Sequence, residues 1–222
     1  LPPSLLCPEC FAADARQLGK PLNIIFRGLN GKALAKENLH LILPIGAGSP
    51  KGPRLVELKY YVGKVAYKAI VRVGKGITFD SGGMSLKPSA SLEGMKTDMA
   101  GAATVLAVTL AAAELKLPLN ITTLIPLAEN MPDGGGFRVG DVFTARYCRT
   151  VEITNNDAEG RLILVDALSL AADMKAAEVI DVSSLTCACV LALVDRCAGL
   201  FTDNERLRNE LLIVRLGEGE NF

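Results

Sequence analysis

Three stretches of this sequence hold ionisable residues in arrangements that could do chemistry. The first is Asn155-Asn156-Asp157-Ala158-Glu159-Gly160-Arg161. Its two carboxylates stand two residues apart, a spacing that turns both side chains to one side in an extended segment but not on a helix. The reading is an extended approach to a following helix, with Asp157 and Glu159 converging on one point. Arg161 then lies near a helix N-terminus, where backbone N–H groups favour an anion. An acidic capping segment is the plainer alternative, since Asp and Glu suit that end of the helix dipole. The second stretch holds Asp98, with Gly94, Gly101, Ala102 and Val105 on its own helix face. A carboxylate among small and apolar neighbours is costly unless it meets a cation; a surface aspartate on a misphased helix is the alternative. The third is Val73-Gly74-Lys75-Gly76-Ile77-Thr78-Phe79-Asp80-Ser81-Gly82-Gly83, with Lys87 beyond it. Its glycines let backbone approach a ligand closely, and it sets Lys75 and Asp80 at a strand end, where α/β sheets present ligands. It matches neither a P-loop nor a dinucleotide fingerprint. Each lysine, taken singly, also reads as a solvated surface group.

Taken together, the stretches are more specific. Four carboxylates (Asp80, Asp98, Asp157, Glu159) in one cleft would repel, protonate or unfold the site. Two divalent cations balance them. Oxygen-rich ligation without histidine suits Zn, Mn, Mg or Co with little selectivity. A metal pair roughly 3.5 Å apart can share a bridging hydroxide and clamp an oxygen that develops charge.

The elements that must position these residues alternate between strand and helix. Strands are expected at Asn23–Phe26, Leu55–Tyr61, Ala69–Val73, Ile77–Phe79, Asn120–Leu127 and Val179–Val182, with a hairpin over Val142–Ile153. Helices are expected at Pro8–Leu18, Lys32–Glu37, Ala158–Lys175, Cys187–Val194 and Glu205–Leu212. The clearest periodicity runs through Leu92, Met95, Met99, Ala102, Leu106, Leu110, Ala113 and Leu117, predicting one helix capped by Ser91 and stopped by Pro118. This pattern predicts an α/β fold with a mixed, mostly parallel sheet flanked by helices, a three-layer α/β/α sandwich.

Composition narrows the chemistry further. The 222 residues carry 24 Lys+Arg against 24 Asp+Glu, so nothing draws the chain generally toward nucleic acid or anionic membrane. His40 is the single histidine, which excludes His-rich metal sites and leaves one candidate for a serine triad. Six cysteines at this length do not make a disulfide scaffold, and free thiols in a reducing compartment are expected. No signal peptide or membrane span is visible. The chain opens on Leu1, so a fragment or processed form is expected.

VGKGITFDSGG (Val73–Gly83), SLKPS (Ser85–Ser89), MKTDMAGAA (Met95–Ala103) and NNDAEGRL (Asn155–Leu162) closely resemble peptidase family M17, the leucyl or cytosol aminopeptidases, from about Pro2 to Asp203. The resemblance implies a metal-dependent aminopeptidase that hydrolyses the N-terminal peptide bond, preferring leucine-like residues, through a bridging hydroxide between two metal ions. It implies one metal site from Lys75, Asp80, Asp98 and Glu159. The second would use Asp80, Asp157 with its backbone carbonyl, and Glu159. Lys75 must then be neutral. Lys87 would polarise the scissile carbonyl, and Arg161 would hold a bicarbonate that relays a proton. Met95 and Asn155 match substrate-binding positions, while Ser184-Leu185-Thr186-Cys187 stands where the family has a pocket wall, with Cys187 narrowing it. Three departures stand out: Asn156 for threonine, Ala100 for glycine, and Cys187 for glycine. The resemblance also implies peptide substrates with a free N-terminus, a homo-oligomer (a hexamer in the full-length family) and a cytoplasmic location. Residues 1–20 read as a linker and connecting segment and residues 21–222 as a partial catalytic domain.

Other readings have less behind them. A catalytically inactive or truncated paralogue would keep the fold in a structural or regulatory role. The basic loop Lys51-Gly52-Pro53-Arg54 is short and lacks aromatics, so nucleic acid is not expected. Cys7-Pro8-Glu9-Cys10 has no second pair or flanking histidine for a zinc knuckle; two ordinary cysteines are expected there.

Overall fold

The structure is a computed structural model that describes residues 1–62 and 69–218. By its contacts the chain divides into Leu1–Ser184 and Leu185–Phe222. In the second unit a short helix, Cys187–Leu193, capped by the Thr186 side chain, precedes a longer one, Glu205–Glu218.

In the first unit, α1 (Pro8–Gly19) leads into β1 (Ile25–Leu29), α2 (Gly31–Lys36), α3 (Ile42–Ile45) and β2 (Arg54–Tyr60). Then come β3 (Ile70–Gly74), β4 (Gly76–Asp80), α4 (Ser89–Leu92), α5 (Ala100–Glu114) and β5 (Ile121–Asn130). A hairpin of β6 (Val142–Thr144) and β7 (Thr150–Glu152) precedes α6 (Glu159–Asp173) and β8 (Glu178–Val182). The main sheet has the order β1-β2-β5-β3-β8, with β4 also on β5. β1–β2 and β2–β5 are antiparallel; β3–β5, β4–β5 and β3–β8 are parallel. This is the mixed, mostly parallel sheet that the sequence predicts. β3 and β4 follow one another along β5, from Ile70 opposite Ile121 to Asp80 opposite Asn130, and Lys75 sits in the break between them.

Alternation along β5 builds two apolar layers. Ile121, Ile125 and Leu127 pack with Phe11 and Ala15 of α1 and Ala102, Val105 and Leu106 of α5. Leu124 and Ala128 face the other way, into Leu34, Ile42, Ile45 and the α6 residues Ile163 and Ala167. Helices therefore flank both faces of the sheet. Among the described residues, no helix is long and apolar enough to cross a membrane.

One expected segment differs at both of its ends. The continuous helix over Ser91–Leu117 is broken: Ser91 lies inside α4, Met95–Thr97 form a 3-10 turn, and α5 starts only at Ala100. Gly94 is a weak helix former, and the Thr97 hydroxyl donates to the Gly94 carbonyl at 2.7 Å, in competition with the helix ladder. Thr97 and Asp98 N–H bond three residues back, to Gly94 and Met95. The apolar spacing runs through the break because it reports burial, not hydrogen bonding. At the other end, Leu115 caps α5 and Lys116 turns left-handed at φ 52°.

Candidate metal centre

The ends of three parallel strands and two helix approaches meet at one place. Asp80 ends β4, and its Oδ1 accepts the Gly82 N–H at 2.9 Å and Asn130 Nδ2 at 2.8 Å. Lys75 is clamped by its backbone, its N–H donating to Val182 O of β8 and its carbonyl accepting the Ala102 N–H of α5. Gly160 lies against its side chain: a Cβ there would stand 2.6 Å from Lys75 Cε and 2.7 Å from Nζ.

Asp98 is buried, but not within a helix as the periodicity predicts. It closes the 3-10 turn before α5. The extended reading of the Asp157–Glu159 segment is likewise corrected. Only Asn155 is extended; Asn156–Ala158 form a 3-10 turn, and Glu159 opens α6. Asn155 Oδ1 caps that turn through the Asp157 N–H at 2.8 Å. Ala158, at φ −112° and ψ 29°, is a non-helical joint between turn and helix. That joint re-aims Glu159, so two carboxylates at a two-residue spacing still converge without a strand.

One oxygen each from Asp80, Asp157 and Glu159 lies within 4.8 Å of the others. Lysines bind the rest together. Lys75 Nζ lies 2.8 Å from Asp98 Oδ2, 3.0 Å from Glu159 Oε1 and 3.0 Å from the Ser184 carbonyl. Lys87 Nζ lies 3.0 Å from Asp80 Oδ2 and also pairs with Asp157 Oδ1. Ser184 Oγ donates to Asp98 Oδ1 at 2.8 Å.

Burial and charge compete across this cluster. Burial pushes the Glu159 carboxyl up to about 7 against the pull of Lys75, with Asp80 and Asp98 adding repulsion. Burial also raises Asp98, although Lys75 and Ser184 oppose it. Burial works against the Lys75 ammonium, but Glu159 and Asp98 outweigh it and its pKa rises. The same holds for Lys87, whose loss on burial is overcome by Asp157 and Asp80.

Glu159 is 1% exposed, and its Oε2 is buried without a hydrogen-bond partner. An acceptor left so in a native interior calls for an explanation. The three carboxylates brought this close supply hard oxygen donors that fit a divalent cation.

The remaining expected residues divide. Ser184 joins the network through both its hydroxyl and its carbonyl. Asn155 is exposed and spends its side-chain oxygen on its own turn. Met95 is half-buried in the 3-10 turn, and Arg161 is exposed in the first turn of α6. Cys187 opens the short helix of the second unit and is exposed. Ala100 is exposed, so its extra methyl does not crowd the interior.

Two asparagines hold the site and were not singled out by charge or spacing. Asn130, fully buried at the end of β5, donates to Asp80 Oδ1 and, at 3.1 Å, to the Asn156 carbonyl. Asn156, also fully buried, donates through Nδ2 to Phe137 O at 2.6 Å, and its N–H reaches Ser85 Oγ at 3.2 Å. The visible signal for Asn130 is a polar residue closing a buried apolar strand. For Asn156 it is the departure from threonine.

Comparison with known proteins shows the family and the fold. The family model described as "Cytosol aminopeptidase family, catalytic domain" matches residues 1–222. A probable cytosol aminopeptidase of Streptomyces griseus is 48% identical over 210 residues, covering 95% of this chain and 41% of the relative. One from Methylobacillus flagellatus is 45% identical over 212 residues, covering 96% and 43%. The chain thus spans less than half the length of these curated relatives. Among solved structures, the bottromycin maturation enzyme BotP in complex with Mn has a TM-score of 0.95 at 42% identity, covering 100% of this chain and 49% of that one.

Proposed function

This chain belongs to the cytosol aminopeptidase family, whose members are metal-dependent peptidases, and from that premise we propose that it forms the core of an enzyme cleaving the N-terminal peptide bond. The observation that carries this reading is the convergence of Asp80, Asp157 and Glu159, with one buried oxygen of Glu159, Oε2, left without a hydrogen-bond partner. On this proposal Lys75, Asp80, Asp98, Asp157 and Glu159 hold two divalent ions, Zn or Mn, with Mg or Co as alternatives. Bound there, the ions supply Lewis acidity and make water a nucleophile at neutral pH.

The chain's own groups do the remaining work. Lys87 keeps its proton, because Asp157 and Asp80 hold it as an ammonium. It can therefore donate to a carbonyl oxygen that gains charge. Arg161, exposed at the start of α6, offers a guanidinium to an anion such as bicarbonate, which the backbone N–H groups there also favour. Met95, Asn155, Ser184 and Cys187 are proposed to line the substrate region, with leucine-like side chains preferred. A free-N-terminal peptide as substrate, a homo-oligomer, a cytoplasmic site of action, no nucleic-acid partner and the division into residues 1–20 and 21–222 belong to the same proposal.

The test is to load the purified chain with Mn²⁺ or Zn²⁺, count bound metal, and measure hydrolysis of leucine amide. Metal uptake with turnover supports the proposal. Loss of both in Glu159→Ala supports the ligand assignment, and full activity in that variant overturns it. Metal uptake with no turnover favours the inactive-paralogue reading.

A further inference from the structure

Outside the metal centre, Cys7 and Cys10 stand apart from the other cysteines. Sequence alone gives two ordinary cysteines; the structure places their sulfurs 2.6 Å apart, well inside van der Waals contact. Cys7 is the N-cap of α1, Pro8 fills the first turn, and the Cys10 N–H donates to Cys7 Sγ at 3.3 Å. Phe11 and Ala15, one and two turns on, are buried in the apolar layer and anchor that end of the helix. The two thiols differ in access: Cys7 is 5% exposed, while Cys10 is half-buried.

A metal does not explain the pair. Among the described residues, Asp80, Asp157 and Glu159 are the group of three or more His, Cys, Asp or Glu close enough to hold an ion, and neither cysteine belongs to it. Nor would a bond here act mainly as a staple, since closing so short a loop removes little entropy from the unfolded chain. Contact, a fixed helical turn and unequal access instead suit reversible exchange.

We propose that Cys7 and Cys10 form a thiol–disulfide exchange site whose reactant is a small-molecule disulfide. The accessible Cys10 thiolate attacks one sulfur of the disulfide and expels the first thiol. The buried Cys7 thiolate then attacks Cys10 Sγ and expels the second. Two electrons pass from the protein to the reactant, and the two cysteine protons end on the two released thiols. The proposal does not depend on the peptidase reading.

Oxidised glutathione is the probe. The full chain is incubated with it in the presence of a chelator, free thiols are alkylated, and the tryptic peptide Leu1–Arg16 is weighed. That peptide holds these two cysteines and no others. The expected result is loss of both alkylation sites and a peptide lighter by two hydrogens. In Cys7→Ser, Cys10 should instead accumulate as the glutathione adduct. In Cys10→Ser, Cys7 should stay unmodified until the chain is denatured. A wild-type peptide that remains doubly alkylated, or that carries glutathione without closing, overturns the proposal.

Discussion

At Gly160 the site leaves no space for even a methyl group, because the Lys75 side chain fills it. Gly160→Ala should displace Lys75 and cost about 1–3 kcal/mol of stability through overpacking. Urea unfolding checks the cost, and metal content should fall with it. Lys87 gives a contrasting case. It touches Asp80 and Asp157, yet its assigned role is to donate to the substrate. Lys87→Ala should lower the rate by about 10²–10³-fold, the scale for losing one such donor, with metal content near normal. Loss of metal in that variant would contradict the role. At this scale the convergence of the four carboxylates with Lys75 and Lys87 was legible, because a carboxylate among small or apolar neighbours already implies a cation. Asn130 and Asn156 were not. A neutral amide carries no sign of which carbonyl or carboxylate it serves until the fold brings them together.

Elements position the site through their ends rather than their bodies. Asn156 links the turn carrying Asp157 to the Phe137 loop, and Asn130 links it to β5. Asn156→Ala would leave the Phe137 carbonyl buried and unpaired, for about 1–3 kcal/mol. The expected readout is a lower urea midpoint at unchanged slope, together with weaker metal binding. The strands, the β6–β7 hairpin and the body of α6 were readable from periodicity. The break at Gly94–Met99 and the 3-10 turn at Asn156–Ala158 were not, since both are set by i→i+3 bonding and a single non-helical residue. The errors fall on the two segments that carry Asp98, Asp157 and Glu159, where convergence outweighs regular structure.

Across the whole molecule, the two apolar layers leave few charges inside, and Asp166 is one of them. It is fully buried on α6, where its Oδ2 accepts the Leu41 and Ile42 N–H groups at 2.8 and 3.0 Å. Burial nevertheless pushes its carboxyl from the ordinary 3.8 up to about 6. Below pH 3.8 both folded and unfolded states hold the proton. Between there and about 6 the unfolded chain releases it first, so stability from this group is lost as pH rises through the folded value. The loss should be on the order of 2–4 kcal/mol. Asp166→Asn keeps an acceptor for both amides and should flatten the slope of stability against pH in that window, read from urea midpoints. An unchanged slope would refute this. The sheet's class was predictable from alternating strands and helices, whereas the order β1-β2-β5-β3-β8 depends on distant pairings that local pattern does not carry. The seating of Lys75 has one more consequence. Its main chain is pinned from one side by β8 and from another by α5, and its stem is pressed by the first turn of α6. An amine so enclosed has no room to swing aside, so any ion that took its place between Asp98 and Glu159 would have to do so with the Lys75 nitrogen still aimed at the same spot.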